Sequence, residues 1–281
     1  MRLKEVIWTR AKNLKSLNCP LVPPPCWVAV RGGHVEVLEF LRGDEEVPFP
    51  WGESACAGAA RGGHLELLQK LRGGRNPSPW GTWTCAAAAQ GGHLEVLEWL
   101  RQGPKRKRCP WDENVCTAAA GAGHLEVVQW LRQRRCPWSN RTCTEAAEGG
   151  HLEVLQWLRQ GPNPCPWDMW ACMVAAKRGQ LEVLQWLRDG PDLCPWDEDT
   201  CLEAAFNGHL EILEWLREGP DVCSCDEGTC AGAAMEGHFE VLKWLREGPD
   251  VCPWNEWTSS TAISRSFDGL RKVQIHALLV A

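Results

Sequence analysis

Tyrosine is absent from this chain of 281 residues, although it holds eighteen tryptophans. Such lopsided aromatic usage points to duplication of one founding unit rather than to a chemical requirement. No stretch approaches eighteen consecutive apolar residues, so no membrane-spanning helix is expected. The leading "MRLKEVIWTRAKNLKSLN" has no uninterrupted apolar core and no small-residue cleavage site. No signal peptide is therefore expected, and the expected environment is reducing cytosol or nucleus, where disulfides are rare. There, the single sequon Asn140-Arg141-Thr142 reads as a chance match. An excess of positive charge is also missing. Thirty Lys and Arg stand against thirty-six Asp and Glu, a net charge of −6, which argues against a nucleic-acid binder. Nor is there an H-E-x-x-H, a G-x-S-x-G, a Walker A run or a G-x-G-x-x-G followed by an acidic residue. A chain without a convergent, unique constellation of reactive groups is not expected to be an enzyme or to carry a cofactor.

What is present is repetition. "GGHVEVLEFLR" at 32–42 returns seven times, as "GGHLEVLEWLR", "GHLEILEWLR" and close variants. Its marker falls at His34, His64, His93, His124, His151, Gln180, His209 and His238, with successive spacings of 30, 29, 31, 27, 29, 29 and 29 residues. A fixed period in this range signals a stack of repeats. Each unit reads as two helices. The first follows a run such as "DEDT", whose Asp or Thr can accept orphan amides of a first turn. It carries an Ala pair, such as Ala204-Ala205, that allows close approach of a neighbour, and ends at a glycine such as Gly208, suited to a left-handed C-cap. The second helix, "HLEILEWLREG", has apolar residues at Leu210, Ile212, Leu213, Trp215 and Leu216. That face is too wide for one amphipathic stripe and needs burial against its partner helix and the adjacent units. Arg217 near its end suits the helix dipole, and "GPDVC" then breaks the helix. One unit cannot bury these faces alone, but a stack can.

The pattern A-A-x-x-G-H-L-E-V-L followed by W-L-R-x-G resembles the ankyrin repeat, in particular the short-period, Cys- and Trp-rich repeats of large algal, protist and giant-virus families. It implies an all-α fold, an ankyrin-type helix-turn-helix repeat solenoid with short inter-repeat turns. Two departures are visible. The period is shorter than the usual one of about 33 residues, and the Thr-Pro-Leu-His opening of the first helix is missing. Thr200 falls in the Pro slot and Cys201 in the slot of a buried Leu. The protruding hairpin of ordinary ankyrin repeats is then expected to shrink to a turn. The expected organisation is an N-terminal capping half-repeat over 1–18, eight repeats over 19–251, and a degenerate C-terminal cap or tail over 252–281. Another α-solenoid of helix pairs is the alternative fold; a leucine-rich repeat lacks its strand signature.

Fifteen of the sixteen cysteines occupy two slots of the unit, seven residues apart, as at Cys194 and Cys201. Losses do not come in pairs: Cys56, Cys85 and Cys252 each face a non-cysteine, with Phe49, Ser78 and Ser259 as replacements. Free cysteine packs as a small apolar residue, so core filling is the expected role. Stacked helices lie about 10 Å apart, whereas a disulfide needs Cα atoms within about 7 Å, so pairing between repeats is not expected. The same spacing disfavours a metal on the histidine ladder, which is expected to cap or hydrogen-bond the interhelix turn. One exception stays open. In "CSCDEGTC", Cys223, Cys225 and Cys230, with His238 nearby, form a candidate zinc set of unusual spacing. Tryptophan likewise fills a second-helix slot, as at Trp215, and a turn slot, as at Trp196. Packing between repeats is expected of both; an aromatic ladder that grips a partner at the turns is the alternative.

Function in a repeat protein belongs to positions that differ between units. The inter-repeat loops vary most. Asp44, Glu45 and Glu46 make the early loops acidic, and Asp192, Asp221 and Asp250 the late ones. Between them lie Lys105, Arg106, Lys107 and Arg108, then Arg134 and Arg135. A basic patch flanked by acidic ends would suit an acidic peptide segment, and "KRKR" also matches a nuclear-import signal. The resemblance implies a non-catalytic scaffold that binds a protein partner through these loops and the first-helix face, as a monomer, without nucleic acid or membrane. The alternative is a thiol-rich metal-binding or redox-responsive protein.

Overall fold

The structure, a computed structural model, describes residue 32 and residues 52–73, 77–102, 104, 108–189, 192–218 and 226–247. Among the described residues every regular element is a helix. They come as seven pairs: α1 (Glu53–Arg61) with α2 (Leu65–Arg72), α3 (Thr82–Gln90) with α4 (Leu94–Leu100), α5 (Glu113–Gly121) with α6 (Leu125–Gln133), α7 (Asn140–Glu148) with α8 (Leu152–Arg159), α9 (Met169–Lys177) with α10 (Leu181–Arg188), α11 (Glu198–Phe206) with α12 (Leu210–Glu218), and α13 (Glu227–Glu236) with α14 (Phe239–Glu247). The proposed N-terminal half-repeat, the first full repeat and the C-terminal segment lie outside the described residues.

The chain divides between Trp138 and Ser139 into two compact units. The first holds α1 to α6 and the second α7 to α14. Within each, a first helix packs on the first helix of the next pair: α1 on α3 and α3 on α5 in one unit, α7 on α9, α9 on α11 and α11 on α13 in the other. The Ala pairs make this possible. Ala59, Ala60, Ala88, Ala146, Ala147, Ala175, Ala176, Ala204 and Ala205 have no exposed surface, and a methyl side chain lets the backbones come close. The second helices bury three positions, as in Val96, Leu97 and Leu100 or Ile212, Leu213 and Leu216, and α6 buries Trp130 as a fourth. Each such Leu or Ile contributes about 1.5–3 kcal/mol of burial. Leu210 and Trp215, at the edges of the expected wide face, are half-buried.

Four of the first helices start on side-chain caps written in the sequence, whereas Asp168 and Asp197, at the starts of α9 and α11, make no cap hydrogen bond, so the expected cap is missing at "DEDT". Asp112 accepts a hydrogen bond from the Asn114 amide, 3.1 Å. Asp226 accepts from the Thr229 amide at 2.9 Å, while the Thr229 hydroxyl accepts from the Asp226 amide. Thr84 and Thr142 receive the Gly81 and Ser139 amides in the same way. The helices end where the chain turns through a left-handed glycine, as Gly208 does at φ 77°. Its amide neighbour continues the cap: the His209 amide donates to the Ala204 carbonyl at 2.9 Å.

Candidate interaction surface

The repeated residues build the joint between pairs. Each described first-slot residue, Ser78, Cys109, Cys136, Cys165 and Cys194, sits in the inter-repeat loop and folds back on the preceding pair. Its amide donates to the end of the second helix, as from Cys194 to the Leu187 carbonyl at 3.0 Å. Its thiol donates to the carbonyl of the residue that opens the preceding first helix: Cys109 to Gly81 at 3.1 Å, Cys165 to Ser139 at 3.3 Å, Cys194 to Asp168 at 3.2 Å. Ser78 donates its hydroxyl to Gly52 at 3.4 Å. Serine therefore stands in for cysteine because both present a short donor at the same point.

The arginine that ends "WLR" closes the joint. Arg101, Arg159 and Arg188 each donate to the carbonyl of the following first-slot cysteine, at 2.6, 2.6 and 2.9 Å. Their guanidinium groups then lie over the turn tryptophans Trp111, Trp167 and Trp196, at 3.8, 3.9 and 4.3 Å from the ring centroids. Those tryptophans meet the next second-helix tryptophan edge to face: Trp80 with Trp99, Trp111 with Trp130, Trp167 with Trp186 and Trp196 with Trp215, centroids 5.7–6.2 Å apart. The two tryptophans of a repeat thus pack on each other within it, and the arginine of the preceding repeat covers one face of the turn residue.

The histidines hydrogen-bond the interhelix turns: the amide closes its own turn while the ring reaches the turn of the preceding pair. The Nε2 of His93 lies 3.0 Å from the Arg61 carbonyl, and that of His124 3.1 Å from Gln90. In the second unit His209 reaches Lys177 and His238 reaches Phe206, each at 3.0 Å. A carbonyl only accepts, so Nε2 carries the proton in each. Burial holds His93 below the ordinary imidazole value, with His124 and His64 adding a like-charge contribution. No group of His, Cys, Asp and Glu suited to a metal ion occurs among the described residues. Of the candidate zinc set, Cys230 is a buried thiol in α13, while Cys223 and Cys225 lie outside the described residues.

The thiols correct one expectation. The second-slot Cys85, on α3, reaches the Cys109 carbonyl at 3.9 Å. Cys143 reaches the Cys165 carbonyl, and Cys172 the Cys194 carbonyl, in the same way. Each second-slot sulfur therefore meets the backbone of the following loop, which folds inward. Cys201 is disulfide-bonded, where pairing was not expected, and the other described cysteines are thiols.

Of the candidate partner-binding residues, Asp44, Glu45, Glu46, Lys105, Arg106, Lys107, Asp221 and Asp250 lie outside the described residues. Arg108 is half-buried, and Arg134 and Arg135 are exposed. Arg134 lies over Trp130, 4.0 Å from its centroid, and Arg135 takes a left-handed φ of 59°. Asp192 is exposed but forms an ion pair with Arg159. The loop edge is thus partly tied down by the joints beneath it.

A second set of varying residues was not singled out by the loop comparison. The second residue of each first helix is Ser54, Trp83 and Asn114 in one unit, and Arg141, Trp170, Asp199 and Gly228 in the other. Trp83 and Trp170 are 51% and 53% exposed, and Met169 beside Trp170 is 36% exposed. Neither tryptophan belongs to the turn slot or the second-helix slot; the position they share holds other residues in most units. That departure from the pattern was the available signal. Deeper along the same helices the charges pair with one another: Arg178 with Glu148, and Lys177 with Glu203 at 3.5 Å.

The helix pairs, stacked first helices and left-handed glycine turns define a helix-turn-helix repeat protein. Residues 143–226 match the family model of ankyrin repeats in three copies, under a third of the chain and all within the second unit. That stretch is made of ankyrin repeats, which serve generally as protein–protein interaction modules and are typically non-catalytic. No curated protein matches the chain. No helix among the described residues is long and apolar enough to cross a membrane.

Proposed function

We propose that the chain is a non-catalytic scaffold that captures a protein partner on its first-helix faces and inter-repeat loops, with Trp83 and Trp170 as anchors. The exposure of two large indoles outside the turn and second-helix slots carries this reading. A buried tryptophan packs a joint, whereas an exposed one adds nothing to the stack and supplies large, rigid contact area to a partner. The loops contribute charge. Arg134 and Arg135 are exposed at one turn, and the neighbouring basic run Lys105–Arg108 supports an acidic segment as the partner's contact.

The test is affinity capture with cross-linking from native-host lysate, using the full chain. Trp83→Ala with Trp170→Ala should reduce recovery of the captured partner at least tenfold, the scale of a lost hot spot of about 2 kcal/mol or more, with helical content and thermal unfolding unchanged. Reversing the charge of Lys105–Arg108 tests the loop component in the same capture. Undiminished recovery by both variants would refute the reading.

A further inference from the structure

The turn tryptophans of this chain are covered by its own cations. Trp80, Trp111, Trp138, Trp167 and Trp196 each lie under an arginine, whose guanidinium carbon is 3.4–4.3 Å from the ring centroid. Trp130 and Trp244 lie under Arg134 and Arg217 in the same way, at 4.0 and 3.8 Å. The face of an indole is electron-rich and attracts a cation placed over it. Trp83 and Trp170 stand apart. Among the described residues neither has a cation or a second ring against it, and each is about half exposed. The nearest counterpart of Trp170 on the preceding first helix is Arg141, but it pairs along its own helix with Glu145, at 3.7 Å.

A second observation concerns what surrounds Trp170 in the second unit. Met169, beside it, is exposed. Leu193, also exposed, precedes Cys194, whose thiol donates to the Asp168 carbonyl at 3.2 Å. Three of the four exposed large apolar residues among the described ones thus gather at the start of α9. Carboxylates border them. Asp168 lies two residues before Trp170; one of its oxygens accepts from the Asn140 side-chain amide at 2.6 Å, and the other is buried without a hydrogen bond. Glu198 and Asp199 open α11, which packs on α9. Both are exposed, and neither makes an ion pair among the described residues. The patch is an uncovered indole with apolar neighbours and a rim of negative charge.

We propose that Trp170 receives an arginine or lysine side chain from an extended basic segment of a protein partner, with Asp168, Glu198 and Asp199 supplying the opposite charge. This rests on the reading of Trp170 as an anchor and adds the chemistry of what it holds. The covered tryptophans of the same chain show which group fits an indole face here. The aliphatic stem of such a side chain packs on apolar neighbours such as Met169 and Leu193 while its charged end stays at the rim. An acidic segment would meet like charge, and a purely apolar one would take the carboxylates out of water without a partner. Residues three apart in an extended chain are about 10 Å apart, close to the spacing of stacked helices. Successive cations of the segment therefore reach Trp170 and then the carboxylates of α11. The basic run Lys105–Arg108 belongs to the first unit and is a separate contact.

The full chain is titrated into a fluorescein-labelled Gly-Ser peptide with arginine at every third residue, and into the same peptide with glutamate in place of arginine. Fluorescence polarisation reads binding. The arginine peptide should bind at least about tenfold more tightly. Trp170→Ala should weaken it roughly threefold to tenfold, and Trp170→Phe, which keeps an aromatic face, by less. Glu198→Gln with Asp199→Asn should weaken it by about as much as Trp170→Ala. Glu182→Gln with Glu211→Gln removes the same charge from exposed second-helix positions and should change binding by less than about twofold. Equal binding of the two peptides, an unchanged affinity of Trp170→Ala, or an equal loss with Glu182→Gln and Glu211→Gln would overturn the proposal. Partner capture separates this failure from that of the anchor. If Trp83→Ala with Trp170→Ala loses the captured partner while the arginine peptide ignores Trp170→Ala, the anchor stands and its basic occupant falls; undiminished capture removes the anchor itself.

Discussion

Replacing Gly208 by alanine isolates the energy of one joint. Gly208 has φ 77°, and a Cβ built on it would lie 2.5 Å from His238 Nδ1. The left-handed conformation costs a non-glycine residue about 1–2 kcal/mol. Alanine recovers about 0.4–1 kcal/mol of that by restricting the unfolded chain. The His238 ring must also move, and its hydrogen bond to the Phe206 carbonyl, 3.0 Å, is lost or stretched. That adds about 1 kcal/mol for the bond and more for the carbonyl left behind, so Gly208→Ala should destabilise by about 2–3 kcal/mol. Gly237 is the internal control. It has φ 76° and no described residue within 4 Å of a built Cβ, so against the described residues Gly237→Ala bears the backbone cost alone, about 1 kcal/mol or less. Urea unfolding of the full chain, followed by far-ultraviolet circular dichroism, compares the two. Equal effects within about 0.5 kcal/mol would refute the claim that histidine couples one repeat to the next.

Two further outcomes follow from the same joints. Arg188→Ala removes the stack on Trp196 and the hydrogen bond to the Cys194 carbonyl; it should cost about 2 kcal/mol in urea unfolding. Arg188→Lys should recover less than half of that, because ammonium lacks the planar fork; full recovery would show that charge alone matters. For pH, His93 is held below its ordinary value of 6.5 when folded. The unfolded chain therefore binds more protons just below that pH, and stability is full above about 6.5 and falls as the pH drops. Thermal unfolding should show this fall, and His93→Gln, which imitates Gln180, should flatten it.

Much of this architecture was legible because its causes are local. A spacing of 27–31 residues, an Ala pair and a glycine before the marker histidine each act within a few residues of themselves. They place α1 to α14 with little help from the rest of the chain. The candidate site was less legible. Trp83 and Trp170 stand in a slot that other residues fill in most units, and it takes their exposure to separate them from the packed Trp80 and Trp167, three residues earlier in each case. Asp192 reads as a loop charge, but Arg159 holds it.

The cysteines mark the boundary between the two kinds of information. Repetition alone established that Cys194 and Cys201 fill structural slots, because serine and phenylalanine replace their counterparts. The Cys172 sulfur meets the Cys194 carbonyl, 22 residues on, because the Cys194 loop is drawn back by the Leu187 carbonyl, by Asp168 and by Arg188 lying on Trp196. Periodicity is a local property and survives in the sequence. What each cysteine touches is decided by several weak contacts acting together across two repeats, and only the folded chain brings them to one place.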